Sequence, residues 1–177
     1  MASRGVAKRY AQAVFSLASE DNSHDRWLAD IARLAEMAED PVTGGFLVSP
    51  NVSVAQKRTA LQSILVGPEH ELSRNLAYML VERHRFDSVP LLLEVYRDLV
   101  LESRGIAVAN VTTAVEMTAE ERARVSAGLK NIVGRDIELR VAVDPGIIGG
   151  MVARVGDRLV DGSVVSQLNR LRLSIAQ

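Results

Sequence analysis

The residues that would carry chemistry in this chain are few and scattered. Gly146-Ile147-Ile148-Gly149-Gly150 has the glycine density of a phosphate-binding loop. Such a loop needs a following Lys-Ser/Thr and a helix N-terminus that meets the phosphate, whereas these glycines run into the β-type stretch 151–155. Backbone positions needing room or a positive φ account for them better. Asp157 and Asp161 invite a reading as a carboxylate pair, yet no nucleophile or further ligand is spaced to join them, and turn and cap roles explain both. His24, His70 and His84 lack metal-ligand spacing, and none has a carboxylate or a second histidine at i+4. His24 and His70 fall near helix starts and are expected to be solvated; His84 ends a helix, where a cation is favoured. Arg154, Arg158, Arg170 and Arg172 form a basic group, but Asp157 and Asp161 interrupt it as a phosphate-binding stripe. There is no cysteine, which removes disulfides, thiol nucleophiles and cysteine–metal sites. The expectation is a protein without catalytic residues, cofactor or metal.

Bulk properties point the same way. The 177 residues suit one medium domain or two small ones, and 47% hydrophobic residues suffice for a packed core. Lys+Arg of 21 against Asp+Glu of 22 leaves a net charge of -1, so the excess positive charge of a nucleic-acid binder is missing. No run reaches the roughly 18–20 uncharged apolar residues that cross a bilayer. The N-terminus, MASRGVAKRYAQAVF, is basic and then amphipathic without the continuous apolar core of a secretory signal, and is read as mature protein.

Helical periodicity fills the first 105 residues. A first helix over 4–20 has two adjoining apolar stripes: Val6, Tyr10, Val14 and Leu17, then Ala7, Ala11, Phe15 and Ala18. A helix packed on a core from one side needs only about 100° of apolar arc. Either this helix is wholly buried, or one stripe faces the core and the other an external groove. A second helix carries Trp27, Ile31, Leu34 and Ala38 and stops at Asp40-Pro41; a short third covers 42–48. Ser53 and Gln56 form a capping box for the fourth, and Gly67-Pro68 closes it. The fifth, over 69–84, shows Leu72, Leu76, Met79, Leu80 and Arg83 along one broad face, and the sixth starts at Asp87-Ser88 and ends near Gly105. This predicts a six-helix bundle over 1–105.

The period then changes. Residues 106–115 carry no charge and read as a buried strand; Thr118 and Glu121 make a second capping box for a helix with Val125, Leu129, Ile132 and Val133 expected to face inward. Ile137, Leu139, Val141 and Val143 alternate with polar residues as a half-buried strand. Gly149-Gly150 leads into a hairpin whose turn is Gly156-Asp157, Asp161-Gly162-Ser163 breaks the sheet, and Ser163 caps a closing helix with Val164, Leu168, Leu171 and Ile175 on one face, expected to pack on the sheet. The predicted class is α+β, with the helical bundle followed by a small α/β domain over 106–177 that contains a β-hairpin and a closing helix.

The stretch from Asp144 to Ile175 also carries a resemblance. Its Gly149-Gly150 pair, followed by V-x-R-x-G-D-x-x-x-D-G-S through Gly156, Asp157, Asp161, Gly162 and Ser163, closely resembles the δ subunit of bacterial F-type ATP synthases and the mitochondrial oligomycin-sensitivity-conferring protein. Ala7, Tyr10, Ala11, Ala13 and Phe15 resemble that family's first helix, and NLAYMLVERHR over 75–85 its fifth. The resemblance implies a non-catalytic stator component that needs no cofactor. The helical domain would sit on the catalytic head and grip the amphipathic N-terminal helices of α subunits between its first and fifth helices. The C-terminal domain would bind the C-terminal end of the b-subunit dimer, the stalk that rises from the membrane sector. Tyr10, Val14, Leu17, Leu76, Met79 and Leu80 are the groove residues this implies, with Arg83 pairing an acidic residue at the rim. The chain would be monomeric alone and present once per complex, on the cytoplasmic face of a bacterial membrane and attached only through its partners. Two other classes compete with this one: a small enzyme with a site between the domains, and a nucleic-acid adaptor using the C-terminal arginines. Neither has a motif to support it.

Overall fold

Caps and breakers set the helix boundaries in the first hundred residues. The computed structural model describes residues 4–166 and Leu168. Helix α1 runs Arg4–Glu20 and α2 His24–Glu39. Asp40 ends α2 and opens α3, Pro41–Val48, because its carboxylate accepts the Val42 and Thr43 amides while Pro41 begins the helix. The backbone amide of Thr43 and then its hydroxyl hold that carboxyl below its usual range. Ser53 and Gln56 close a full capping box on α4, Val54–Gln62. Helices α5, Glu71–Glu82, and α6, Val89–Ser103, follow. Each is entered through a one-turn 3-10 segment, Pro68–His70 and Phe86–Ser88. The helical part therefore has two more helical elements among the described residues than the six expected. Gly67-Pro68 and the turn at Arg85 start tight turns that the periodic pattern merges into the helices they precede.

The chain divides into two compact units, Met1–Val100 and Leu101–Gln177. The helical unit is built around Trp27, Ile31 and Leu34 of α2, Leu80 and Val81 of α5, Phe86, and Leu92, Tyr96 and Val100 of α6. Helix α1 meets this core through Ala7, Ala11, Val14 and Ala18. Three alanines on that line let its backbone approach closely, so the neighbouring helices supply the bulk. Tyr96 is fully buried, and its hydroxyl donates to the His24 carbonyl at 3.4 Å.

The second unit holds strands β1, Ile106–Thr113; β2, Asp136–Val143; β3, Met151–Val155; and β4, Arg158–Asp161, in the order β2-β1-β3-β4. Helix α7, Ala119–Val133, links the parallel pair β1–β2, and β3–β4 is the antiparallel hairpin beside β1. Strand β1 is half-buried, not wholly buried as its uncharged sequence suggested: Ala109, Val111 and Thr113 are covered while Asn110 is exposed. Its inward residues pack with Leu129, Val125 and Val133 of α7 and with Ala153 and Val155 of β3, whereas Ile132, expected inward, is exposed. Thr118 and Glu121 complete the second capping box. The Thr118 amide, its hydroxyl and the Arg124 charge hold the Glu121 carboxyl below its usual range.

Replacing Leu129, the fully buried residue of α7, by Ala is expected to cost about 2–4 kcal/mol, read from the urea midpoint of the full chain. The depressed carboxyls set an acid limit. Their contribution to stability is present above the unfolded-state values and lost as pH falls through the folded-state values, below about pH 4. Asp40→Asn should flatten that acid loss in a thermal-melting series from pH 5 to 3 relative to the unchanged chain.

Candidate functional site

The two glycines and the D-G-S motif form a backbone latch. Gly150 has φ 82°, and a Cβ there would come within 2.4 Å of the Gly162 carbonyl oxygen, so no larger residue fits. Two backbone bonds close the junction: Gly162 N–H to the Met151 carbonyl at 2.9 Å, and Val164 N–H to the Gly149 carbonyl at 3.0 Å. Asp161 accepts the Ser163 amide on one carboxylate oxygen at 2.9 Å and the Ser166 hydroxyl on the other at 2.6 Å. Ser163 in turn accepts the Ser166 amide at 3.2 Å, the N-cap its position predicts. Gly156 alone of the two hairpin residues has positive φ, 56°, which fits a type II′ turn and leaves Asp157 as an exposed turn residue. The Asp161 carboxylate therefore positions the backbone that enters the closing helix.

The closing helix begins at residue 164, but its first residues do not pack as expected. Val164 and Leu168 are exposed, because the first turn is tied to the glycine loop; Leu171 and Ile175 lie outside the described residues.

The expected groove residues separate into two groups. Val14, Leu76 and Leu80 are buried in the core of the helical unit and offer no surface to a partner in this structure. Tyr10 is half-buried against that core. Leu17 at 43% exposure and Met79 at 40% face solvent, as does Arg83. Leu72, at 48%, lies on the same exposed side of α5 as Met79, two turns away. The inward line of α1 thus combines alanines from one predicted stripe with Val14 from the other. Phe15 is half-buried, stacked on the His24 ring at 4.8 Å and edge-on to Tyr96.

Two polar features escaped the sequence. Asp30, on the core side of α2, is 1% exposed; its Oδ2 accepts the Ser73 hydroxyl at 2.6 Å and pairs with His70 Nδ1 at 2.9 Å. His70 is thus mostly enclosed, correcting the expectation that it is solvated, and His24 is part-buried in its ring stack. Their partners are 40 or more residues distant or belong to another helix, so spacing along the chain gave no signal. Ser73 and His70 meet on the one carboxylate, which ties α2 to the start of α5. The second feature is Lys57, 1% exposed, whose Nζ donates to the Ser49 carbonyl at 2.6 Å, where a cation suits the C-terminal end of α3. No group of three or more His, Asp or Glu is gathered as metal ligands among the described residues, and no described helix is long and apolar enough to cross a membrane.

The family model for the ATP synthase delta (OSCP) subunit matches residues 6–175. The chain belongs to the ATP synthase delta (OSCP) family. It is 37% identical over 173 residues to the ATP synthase subunit delta of Dehalococcoides mccartyi, covering 97% of this chain and 94% of that protein. It is 34% identical over 180 residues to that of Symbiobacterium thermophilum, covering 100% and 97%. Among solved structures, a chain of the Toxoplasma gondii mitochondrial ATP synthase hexamer shares the fold, with a TM-score of 0.68 at 23% identity over 97% of each chain. As a delta subunit the chain is a non-catalytic peripheral stator component of F-type ATP synthase, a membrane-associated complex.

Two substitutions test the structural roles. In this delta subunit Asp30→Ala strands the Ser73 hydroxyl and the His70 ring, and should lower stability by about 1–3 kcal/mol in denaturant unfolding. Gly150→Ala meets both a positive φ and a backbone oxygen, so it should lower the thermal midpoint, whereas Asp157→Ala in the exposed turn should leave it within about 0.5 kcal/mol of the starting stability.

Proposed function

We propose that this delta subunit clamps the catalytic α/β head to the b-subunit stalk. The helical unit takes the amphipathic N-terminal helices of α subunits, and the second unit takes the C-terminal end of the b dimer. One copy serves each complex, the free subunit is a monomer, and it lies on the cytoplasmic face of a bacterial membrane, held there by its partners. Proton flow turns the central rotor, and a head free to follow would convert none of that rotation into ATP synthesis.

The observation that carries this reading is the exposed apolar side of α1 and α5 on helices whose opposite sides are fixed in the core. Leu17, Leu72 and Met79 leave apolar surface in water, while Val14, Ala77 and Leu80 hold the same helices in place. A partner helix binds such a surface through apolar residues at i, i+3, i+4 and i+7. Tyr10 suits an anchor with a polar tip, and Met79 an adaptable filler. Arg83, exposed one turn beyond Met79, provides a cation for an acidic residue at the edge. Val14, Leu76 and Leu80 act beneath this surface as its support.

Calorimetric titration of the full chain with a synthetic α-subunit N-terminal peptide tests the placement. Tyr10→Ala and Met79→Ala are each expected to weaken binding by about 1–3 kcal/mol. Leu80→Ala should instead lower the stability of the free chain by about 2–4 kcal/mol. Unchanged affinity in both surface variants would remove α1 and α5 from the contact.

A further inference from the structure

The second unit carries a cleft beside the backbone latch, whose Gly149 and Gly150 form part of its wall. It has a volume of about 440 Å³ and opens where β1 ends, between 113–117, the first turns of α7 at Glu121 and Val125, and the 148–151 segment. Most of its wall is apolar, from Val115, Met117, Val125, Ile148 and Met151. Val115 and Ile148 are 72% and 78% exposed, so two branched aliphatic side chains stand in water at this one place. Isolated exposed aliphatics are ordinary on a protein surface; a pair of them on the wall of one apolar cavity is the mark of an interaction site.

The charge of the cleft limits its occupant. Both ionisable groups among the described residues of the lining, Glu116 and Glu121, are carboxylates, and no described lysine or arginine lines it. Glu121 is engaged by the Thr118 amide and hydroxyl. Glu116 is exposed, with no cation against it among the described residues. Arg122 turns its Nε toward the Met117 carbonyl, at 3.4 Å. A phosphate or an acidic segment would meet two like charges here without a compensating donor. A free small ligand would find few groups to orient it, since the Thr113 hydroxyl is already given to the Val115 carbonyl at 2.7 Å. What fits is an apolar side chain that enters the cleft, with a positive charge close enough to reach Glu116.

We propose that this cleft is the seat for a basic, apolar-anchored peptide segment of the stalk: one bulky aliphatic or aromatic side chain between Val115 and Ile148, with a lysine or arginine about one helical turn away facing Glu116. This rests on the reading that the second unit binds the C-terminal end of the b subunit, and names the surface and the chemistry of that contact. The apolar anchor supplies the binding energy, and the acidic rim selects its orientation and speeds encounter.

The test uses the full chain and a fluorescent peptide of the last roughly 25 residues of the b subunit from the same source, followed by anisotropy. Val115→Asp and Ile148→Asp, both at exposed positions, should each weaken binding roughly tenfold or more, with unchanged circular dichroism. Glu116→Lys should weaken it several-fold at low salt, with the difference shrinking in about 0.5 M salt; this variant keeps the test decisive if either aspartate variant fails to fold. Binding by the unaltered chain that all three variants reproduce would overturn the cleft while leaving the stalk contact in place. No binding by the unaltered chain would overturn both. A dimer of the free chain that Ile148→Asp dissociates would make a second copy the occupant, and would overturn the proposal as well.

Discussion

The close seating of α1 on the helical core is the constraint on which the rest of that unit depends. Ala7, Ala11 and Ala18 contribute little side-chain area, and their value is that they let the backbone of α1 come near. Trp27, Ile31, Leu34, Leu92 and Tyr96 fill the volume from the other helices. A helix held this way by one narrow line is rigid without being enclosed. It can therefore keep Leu17 and the outer edge of Tyr10 uncovered without losing its own place. The same division appears in α5, where Ser73, Leu76, Ala77, Leu80 and Val81 are buried and Leu72 and Met79 are not.

Polar anchoring reinforces these seats where apolar packing alone leaves a helix end loose. Asp30 reaches across from α2 to Ser73 in the first turn of α5 and to His70 in the 3-10 segment before it. Lys57 ties α4 to the end of α3. Arg74 gives two hydrogen bonds to the Leu65 and Gly67 carbonyls, securing the turn that leads into α5. Each sets a charged group against a backbone carbonyl or a hydroxyl, so each is costly to remove from one side only. Asp30 and Arg74 fix α5 at its N-terminal end, from which its exposed apolar side extends.

Much of this was legible in the chain, for identifiable reasons. The capping boxes at Ser53/Gln56 and Thr118/Glu121, the Asp40-Pro41 junction and the hairpin at Gly156-Asp157 are all local: the residues that satisfy the backbone lie within a few positions of it. The alternation in β2 and the capped helix before it likewise signal a strand–helix–strand unit. The inward line of α1 was not legible, because both candidate stripes are apolar and periodicity cannot rank them. Size misleads there, since the larger Tyr10 and Leu17 stay toward the outside and the smaller alanines go in. Asp30 with His70, and Lys57 with Ser49, depend on the tertiary arrangement, and nothing in their spacing announces them. The cleft at the end of β1 was missed for the same reason: Val115 and Ile148 lie 33 positions apart and meet its walls only once the sheet is built.

The placement of β1 at the inside of its sheet has a consequence for how the molecule is made. Its parallel partner begins 30 residues later, at Ile106 opposite Asp136, and its antiparallel partner pairs Ala109 with Val155, 46 residues on. The β1–β2 ladder cannot close until α7 has crossed over, nor the β1–β3 ladder until the hairpin has been synthesised, so chain-closure entropy is met before strand pairing repays it. The helices of the first unit, by contrast, gain their hydrogen bonds from neighbours four residues away. A nascent chain leaving the ribosome would thus complete its helical unit early and its sheet only after the hairpin, with β1 exposing an unpaired edge in the interval.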